Sequence, residues 1–290
     1  MLFTRAKTTS RSSAYVNTPW TNLNAKVKGE PSEEAGDLVL DYQRLATLGF
    51  ITPATIELDV ARDFSMVKRR LFRRLCFFGQ ETEPGSEPAH RRCPVVLVTS
   101  GNPGEGKTFS SINFALSLAI EEQLNVLLID TDLAKPSVTR VLGFPYRKRG
   151  LFDCLTDPST VLDDIVLSFG QIPLSVMPAG EATSAPSSLL GGKPMSDTLA
   201  RLKQQNTYDM LVLDGPPLLA TTEAAVLAPH ADEIVVVIGA GDATSTQLDA
   251  SLDLLDVSTD KVSLLLNRAV ISERRAGLYG YDYAEDKLSA

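Results

Sequence analysis

From about residue 92 onward, short apolar runs recur along the chain: PVVLVT at 94–99, NVLLI at 125–129, LSVMP at 174–178, DMLVL at 209–213, EIVVVIG at 233–239 and VSLLL at 262–266. Segments of helical length separate most of them. A run that is apolar at nearly every position offers no face to water, so each reads as a strand buried on both sides. Strands alternating with helices predict an α/β fold with a mostly parallel central sheet flanked by helices. Upstream the texture differs. LVLDYQRLATL, around 38–48, has the apolar spacing of a helix, and DVARDFSMVKRRLFRRLCFF, 59–78, reads as a second one. GQETEPGSEPAH, 79–90, has the Gly, Pro and Glu content of a linker. Residues 1–36 are polar throughout. The expected organisation is a disordered arm at 1–36, a helical extension and linker at 37–91, a compact domain at 92–270 and a flexible tail at 271–290.

Composition narrows this picture. Hydrophobic residues make up 43% of the 290, enough for a substantial core. A net charge of −8 argues against a broad nucleic-acid surface, and no nucleic-acid partner is expected. The charge is uneven: no acidic residue precedes Glu30, while Arg5, Lys7, Arg11, Lys26 and Lys28 do. Such a start has the composition of a transit peptide as well as of an unstructured arm, and the arm is the reading adopted. No apolar run is long enough to span a bilayer. Cys76, Cys93 and Cys154 stand far apart, which favours a reducing, cytoplasmic setting over a disulfide framework. With only His90 and His230, a histidine metal cluster is excluded.

The candidate chemistry lies at the carboxyl ends of the predicted strands. Gly101 to Thr108, GNPGEGKT, fits the phosphate-binding P-loop pattern, with a strand before it and a helix pattern at 107–121 after it. Glycines let backbone N–H groups curl around phosphate oxygens, and the following helix directs its positive end at them. Gly101, Asn102, Pro103, Gly104, Glu105, Gly106, Lys107, Thr108 and Phe109 are therefore the candidate nucleotide-binding residues. Lys107 is assigned to the β- and γ-phosphates and Thr108 to Mg²⁺. In VLLIDTDLAKPSV, Asp130 and Asp132 close a second strand; the pair suits Mg²⁺ ligation or general-base work, and a helix N-cap ahead of Pro136 is the plainer use of one. Lys135 is read equally as a phosphate contact or a solvated side chain. Asp214 closes a third strand in the Walker B manner, with GPP expected to turn the chain and leave it at the sheet edge. KRRLFRR, 68–74, reads as a solvated helix face or as a contact for anionic lipid or an acidic protein surface.

These elements, in this order and spacing, resemble the bacterial tyrosine kinases, or BY-kinases. The similarity runs on through GLFDCLTDPS and LSVMPAG to LLLNRA, and is strongest with the free-standing tyrosine autokinases of exosortase-linked exopolysaccharide loci. It implies an ATP- and Mg²⁺-dependent protein-tyrosine autokinase that regulates exopolysaccharide or capsule production or export. Thr108, Asp130, Asp132 and Asp214 would serve Mg²⁺, Asp130 would activate the attacking hydroxyl, and Asn267 would lie near the adenine. The resemblance also explains the tail GLYGYDYAED at 277–286. Tyr279, Tyr281 and Tyr283 alternate with poor strand formers, and by the family pattern they are phosphoacceptors. Added phosphates, beside Asp282, Glu285 and Asp286, are expected to repel one another and release the tail from any acidic surface. The implied partners are an integral-membrane chain-length co-polymerase, which would bring the chain to the inner membrane, and other copies of itself.

Three departures from the family pattern change expectations. In the N-terminal assembly motif Asp63 holds an acidic position and Lys68 and Arg69 are basic, but Ser65 replaces an arginine, so ring assembly is expected to be weak. Ser188 stands where an acid is common, and Gly239 where a charge is frequent. The competing readings are a Par/Min-type positioning ATPase, against which Asn102 replaces a characteristic lysine, and a non-catalytic nucleotide-sensing scaffold of the polysaccharide machinery.

Overall fold

Residues 2–5, 38–75, 77, 93–181 and 186–269 are described by the computed structural model. The six apolar runs all become strands of one sheet: β2 (Val95–Ser100), β3 (Val126–Asp130), β5 (Leu174–Met177), β6 (Met210–Pro217), β7 (Glu233–Gly239) and β8 (Val262–Ala269). Two short strands complete it, β1 (Leu2–Arg5) and β4 (Leu167–Phe169). The order across the sheet is β1-β8-β7-β2-β6-β3-β5-β4, with β4 antiparallel at one edge and the other pairings parallel. Because side chains alternate along a strand, each run divides between two cores. Val96, Val98, Leu128 and Val212 face one side; Leu97, Leu127, Ile129 and Leu213 face the other.

The helices are α1 (Tyr42–Thr47), α2 (Asp59–Arg74), α3 (Lys107–Glu121), α4 (Val138–Leu142), α5 (Leu151–Thr156), α6 (Pro186–Leu190), α7 (Lys193–Gln204), α8 (Glu223–Leu227) and α9 (Ser245–Asp253). Among the described residues none is long and apolar enough to cross a membrane. α2 and α3 cover the first face. Phe64, Val67 and Leu71 of α2 are buried at helical spacing, each stabilising by roughly 1.5–3 kcal/mol. On its flank Lys68 is also buried, with its ammonium 3.1 Å from Glu121 of α3 and 2.8 Å from Glu122, the C-cap of that helix. The Ser65 hydroxyl donates to Glu121 at 2.8 Å. Residues 38–75 thus share the sheet's core instead of forming a separate unit.

Several boundaries differ from the sequence reading. The helix expected around 38–48 shrinks to α1, because Asp41 caps it by accepting the Arg44 N–H at 2.9 Å. Leu40 ahead of it stays outside the helix and donates its N–H to Gln171 at 2.6 Å. The helix expected to reach 78 stops at Arg74, and Phe77 folds back to stack on Phe72 with ring centres 4.9 Å apart. The expected turn at GPP is absent. β6 continues through Pro217, which pairs with Ser100 across a register shift. A bulge leaves unneeded the N–H that proline lacks, and the Pro216 carbonyl accepts from the Thr99 hydroxyl at 2.6 Å. Within the stretch read as a disordered arm, residues 2–5 form strand β1 against β8.

Candidate functional site

β2 delivers the chain to Gly101, and α3 receives it at Lys107. Between them Gly104 and Gly106 take φ values of 87° and 95°, where a side chain would be strained. At Gly106 there is also no room: a Cβ would fall 2.1 Å from the Asn267 Nδ2. That amide donates to the Glu105 carbonyl at 2.9 Å. The neighbouring Arg268 guanidinium donates to the Gly104 carbonyl and, at 2.7 Å, to Asp242. Glu105 is buried, its carboxylate turned back to accept the Asn102 N–H at 2.7 Å. The loop is therefore braced from behind by β8, while its helix end opens toward the carboxyl edge of the sheet. The Asn267 side chain thus braces the loop. The Phe109 ring packs on Phe50, centres 5.1 Å apart.

Beyond the loop, β3 and β6 bring Asp130 and Asp214 together as register partners. Both are essentially inaccessible to water. The Thr108 hydroxyl donates to one oxygen of Asp214 at 2.8 Å and the Ser111 hydroxyl to the other at 2.9 Å. Asp130 accepts the Ser137 and Val138 N–H groups at 2.9 and 3.0 Å, closing the turn into α4. Asp132 takes the Lys107 ammonium at 2.9 Å and the Lys135 N–H at 3.0 Å. The Lys135 side chain is exposed.

Burial, then the facing Asp214 charge, pushes Asp130 up to about 7. Burial raises Asp214 too, against the opposing pull of Lys107 and its hydroxyl donors. For Lys107, burial alone would favour the neutral amine, but Asp214 and Asp132 outweigh it and hold the ammonium above its ordinary value. Both carboxylates are thus short of positive charge. Among the described residues no three His, Cys, Asp or Glu side chains form a metal site on their own. Mg²⁺ fits such a site, since it keeps several waters and binds through one or two protein oxygens plus phosphate. Thr108 and Asp214 are placed to hold it, with Asp130 and Asp132 alongside.

Sequence reasoning missed Ser111, Arg268 and the inward turn of Glu105. Ser111 lies one helical turn from Lys107 and Thr108, which is the one signal that could have exposed it. Lys68 is locked between α2 and α3, and Arg74 pairs with Glu233 at 2.8 Å, so the basic run is partly internal and not uniformly solvated. At Gly239 a Cβ would sit 2.7 Å from the Asp242 carboxylate, so a charged side chain there would have to displace it. Tyr279, Tyr281 and Tyr283 lie outside the described residues.

A family model described as an AAA domain matches residues 95–259. The chain is 31% identical over 199 residues to the tyrosine-protein kinase YwqD of Bacillus subtilis (strain 168), covering 68% of this chain and 81% of that protein. It is 31% identical over 189 residues to the tyrosine-protein kinase CpsD of Streptococcus pneumoniae serotype 4, covering 63% and 80%. Among solved structures, the VpsO kinase domain superposes with a TM-score of 0.56 at 31% identity, over 71% of this chain and 98% of that one. The kinase domain of the Escherichia coli tyrosine kinase ETK gives 0.62 over 91% of both chains; at 20% identity it speaks for the fold alone.

Proposed function

The chain belongs to the bacterial tyrosine-protein kinases, and on that premise we propose that it transfers the γ-phosphoryl group of ATP to tyrosines of its own C-terminal segment and so regulates the production or export of an exopolysaccharide. The observation that carries this reading is the convergence of Lys107, Thr108, Asp130 and Asp214 at the open end of the braced loop. Such chemistry needs little from the protein beyond positioning and charge. The loop's N–H groups and the α3 N-terminus bind phosphate oxygens, and Lys107 draws the β- and γ-phosphates together. Mg²⁺, held at Thr108 and Asp214, would neutralise the charge on the phosphates. Asp130, nearest its working range, accepts the proton of the attacking phenol as the Tyr Oη–P bond forms and the bond to the β-phosphate oxygen breaks, releasing ADP. Tyr279, Tyr281 and Tyr283 are the acceptors. The protein works at the cytoplasmic face of the inner membrane, brought there by an integral-membrane co-polymerase.

Incubating the pure chain with ATP and Mg²⁺, then measuring phosphotyrosine against free phosphate, tests the reading. Phosphotyrosine on the chain is the expected result. Released phosphate with no phosphotyrosine would replace it with a positioning ATPase, and neither product would leave a scaffold.

A further inference from the structure

Between Asp132 and Asp153 the chain carries no acidic residue but five cations, Lys135, Arg140, Arg147, Lys148 and Arg149, in a molecule whose net charge is −8. The segment begins beside the carboxylate edge, passes through α4 and returns to the carboxyl end of β5. There the Glu181 N–H donates to the Lys148 carbonyl at 2.9 Å and the Tyr146 hydroxyl to the Gly180 carbonyl at 3.3 Å. Lys135, Arg140, Lys148 and Arg149 are exposed. The Arg147 Nε is buried with no hydrogen-bond partner among the described residues. Three acids stand close by. Asp153 accepts the Gly150 N–H at 2.7 Å, Glu181 is exposed, and Asp164 lies 3.9 Å from Arg149 in a pair more than half open to water and so weak. The surface is positive and lies next to the reacting groups.

We propose that this surface docks the acidic end of the chain's own tail, Asp282, Glu285 and Asp286, and thereby presents the tyrosines to the site. The proposal rests on the reading of those tyrosines as acceptors, and it extends that reading to how they are selected. The order of groups supports it. The tail leaves β8 at Ala269, and across the sheet from β8 come β7, then β2 with its loop, β6 with Asp214, β3 with Asp130, and β5 with the basic segment. At ~4.8 Å per strand, β3 is ~19 Å and β5 ~24 Å from β8. Along the tail Glu285 and Asp286 follow the last tyrosine and Asp282 lies between Tyr281 and Tyr283. Extended chain from Ala269 reaches ~33 Å at Tyr279 and ~56 Å at Asp286. Tyrosines can therefore lie over the carboxylates while the acids pass on to the cations, on the same molecule or on a second copy.

The test uses a fluorescent peptide of residues 277–290 and the full chain, with binding read by anisotropy at low salt. Arg140→Glu, Lys148→Glu and Arg149→Glu together should weaken binding by on the order of 10-fold. A peptide with Asp282→Asn, Glu285→Gln and Asp286→Asn should bind the unaltered chain as poorly, and should lose little more on the charge-reversed chain. Affinity for a fluorescent ATP analogue should not move, while phosphorylation of the tail slows. Equal peptide binding by the unaltered and reversed chains overturns the proposal. So does binding of phosphatidylserine vesicles to the patch without binding of the peptide, which would make it a lipid surface. If charge-dependent docking is seen but tail tyrosines are never phosphorylated, the docking stands and the acceptor reading fails.

Discussion

Lys107 and the two facing carboxylates carry the sharpest single-residue expectations. Lys107→Met removes the charge that gathers the phosphates and should lower autophosphorylation by at least about 10²-fold, with the circular dichroism spectrum unchanged. Full activity in the folded variant would remove this lysine from the mechanism. Asp130 behaves unlike an ordinary surface acid. Its folded value is near 7 against 3.8 for a free carboxyl, so the native state holds the proton more tightly than the unfolded state. Without nucleotide, its contribution to stability is fully present below about 4 and is lost as pH rises toward 7. Asp130→Asn should therefore flatten the fall in Tm between about pH 5 and 7 and stabilise the empty protein at neutral pH. It should also cost at least about 10²-fold in phosphoryl transfer. Thermal melts across that range check the sign; a variant that melts lower at pH 7 would show that the acid is not strained. These residues were legible because covalent spacing alone defines GNPGEGKT and the strand-ending aspartates. Ser111 and Arg268 were not, since their partners Asp214 and Gly104 lie 103 and 164 residues away.

The elements were easiest to read where a run was apolar at every position. Buried strands have one solution, and all six were found. Ends were harder, because a cap such as Asp41, or a bulge that admits Pro217, is decided by a tertiary partner. α2 shows the same limit. Its buried stripe was plain, but spacing could not reveal that Lys68 points inward at Glu121 and Glu122. Its place in an assembly motif suggested an outward role. Lys68→Met should instead destabilise the monomer by about 1–3 kcal/mol, less than the loss of a wholly sealed pair, because both glutamates are partly open to water. Denaturant unfolding should show a lowered midpoint. An unchanged midpoint with an altered oligomeric state would return Lys68 to the interface.

At the scale of the molecule, the α/β architecture follows from the alternation of strand and helix, whereas the reading of the tail rests on resemblance. Replacing Tyr279, Tyr281 and Tyr283 by Phe keeps the rings and removes the hydroxyls. Mass spectrometry after ATP treatment should find most phosphotyrosine at 279–283 in the unaltered chain and little in the triple variant. Equal phosphorylation of the two places the acceptors elsewhere. With Ser65 bonded to Glu121 instead of an arginine reaching outward, a monomer or a labile oligomer is expected at low concentration. Light scattering that found a stable ring at micromolar protein would contradict this.

Asp130 facing Asp214 in the dry interior also bears on how long a molecule lasts in the cell. Whatever neutralises that pair stabilises the folded state by mass action, so empty copies open more often than loaded ones. Housekeeping proteases sample the open state, and a difference of one or two kcal/mol changes abundance several-fold. The lifetime of this kinase should accordingly track the supply of nucleotide, and a pulse-chase under energy starvation should show it disappearing sooner than its Asp130→Asn counterpart.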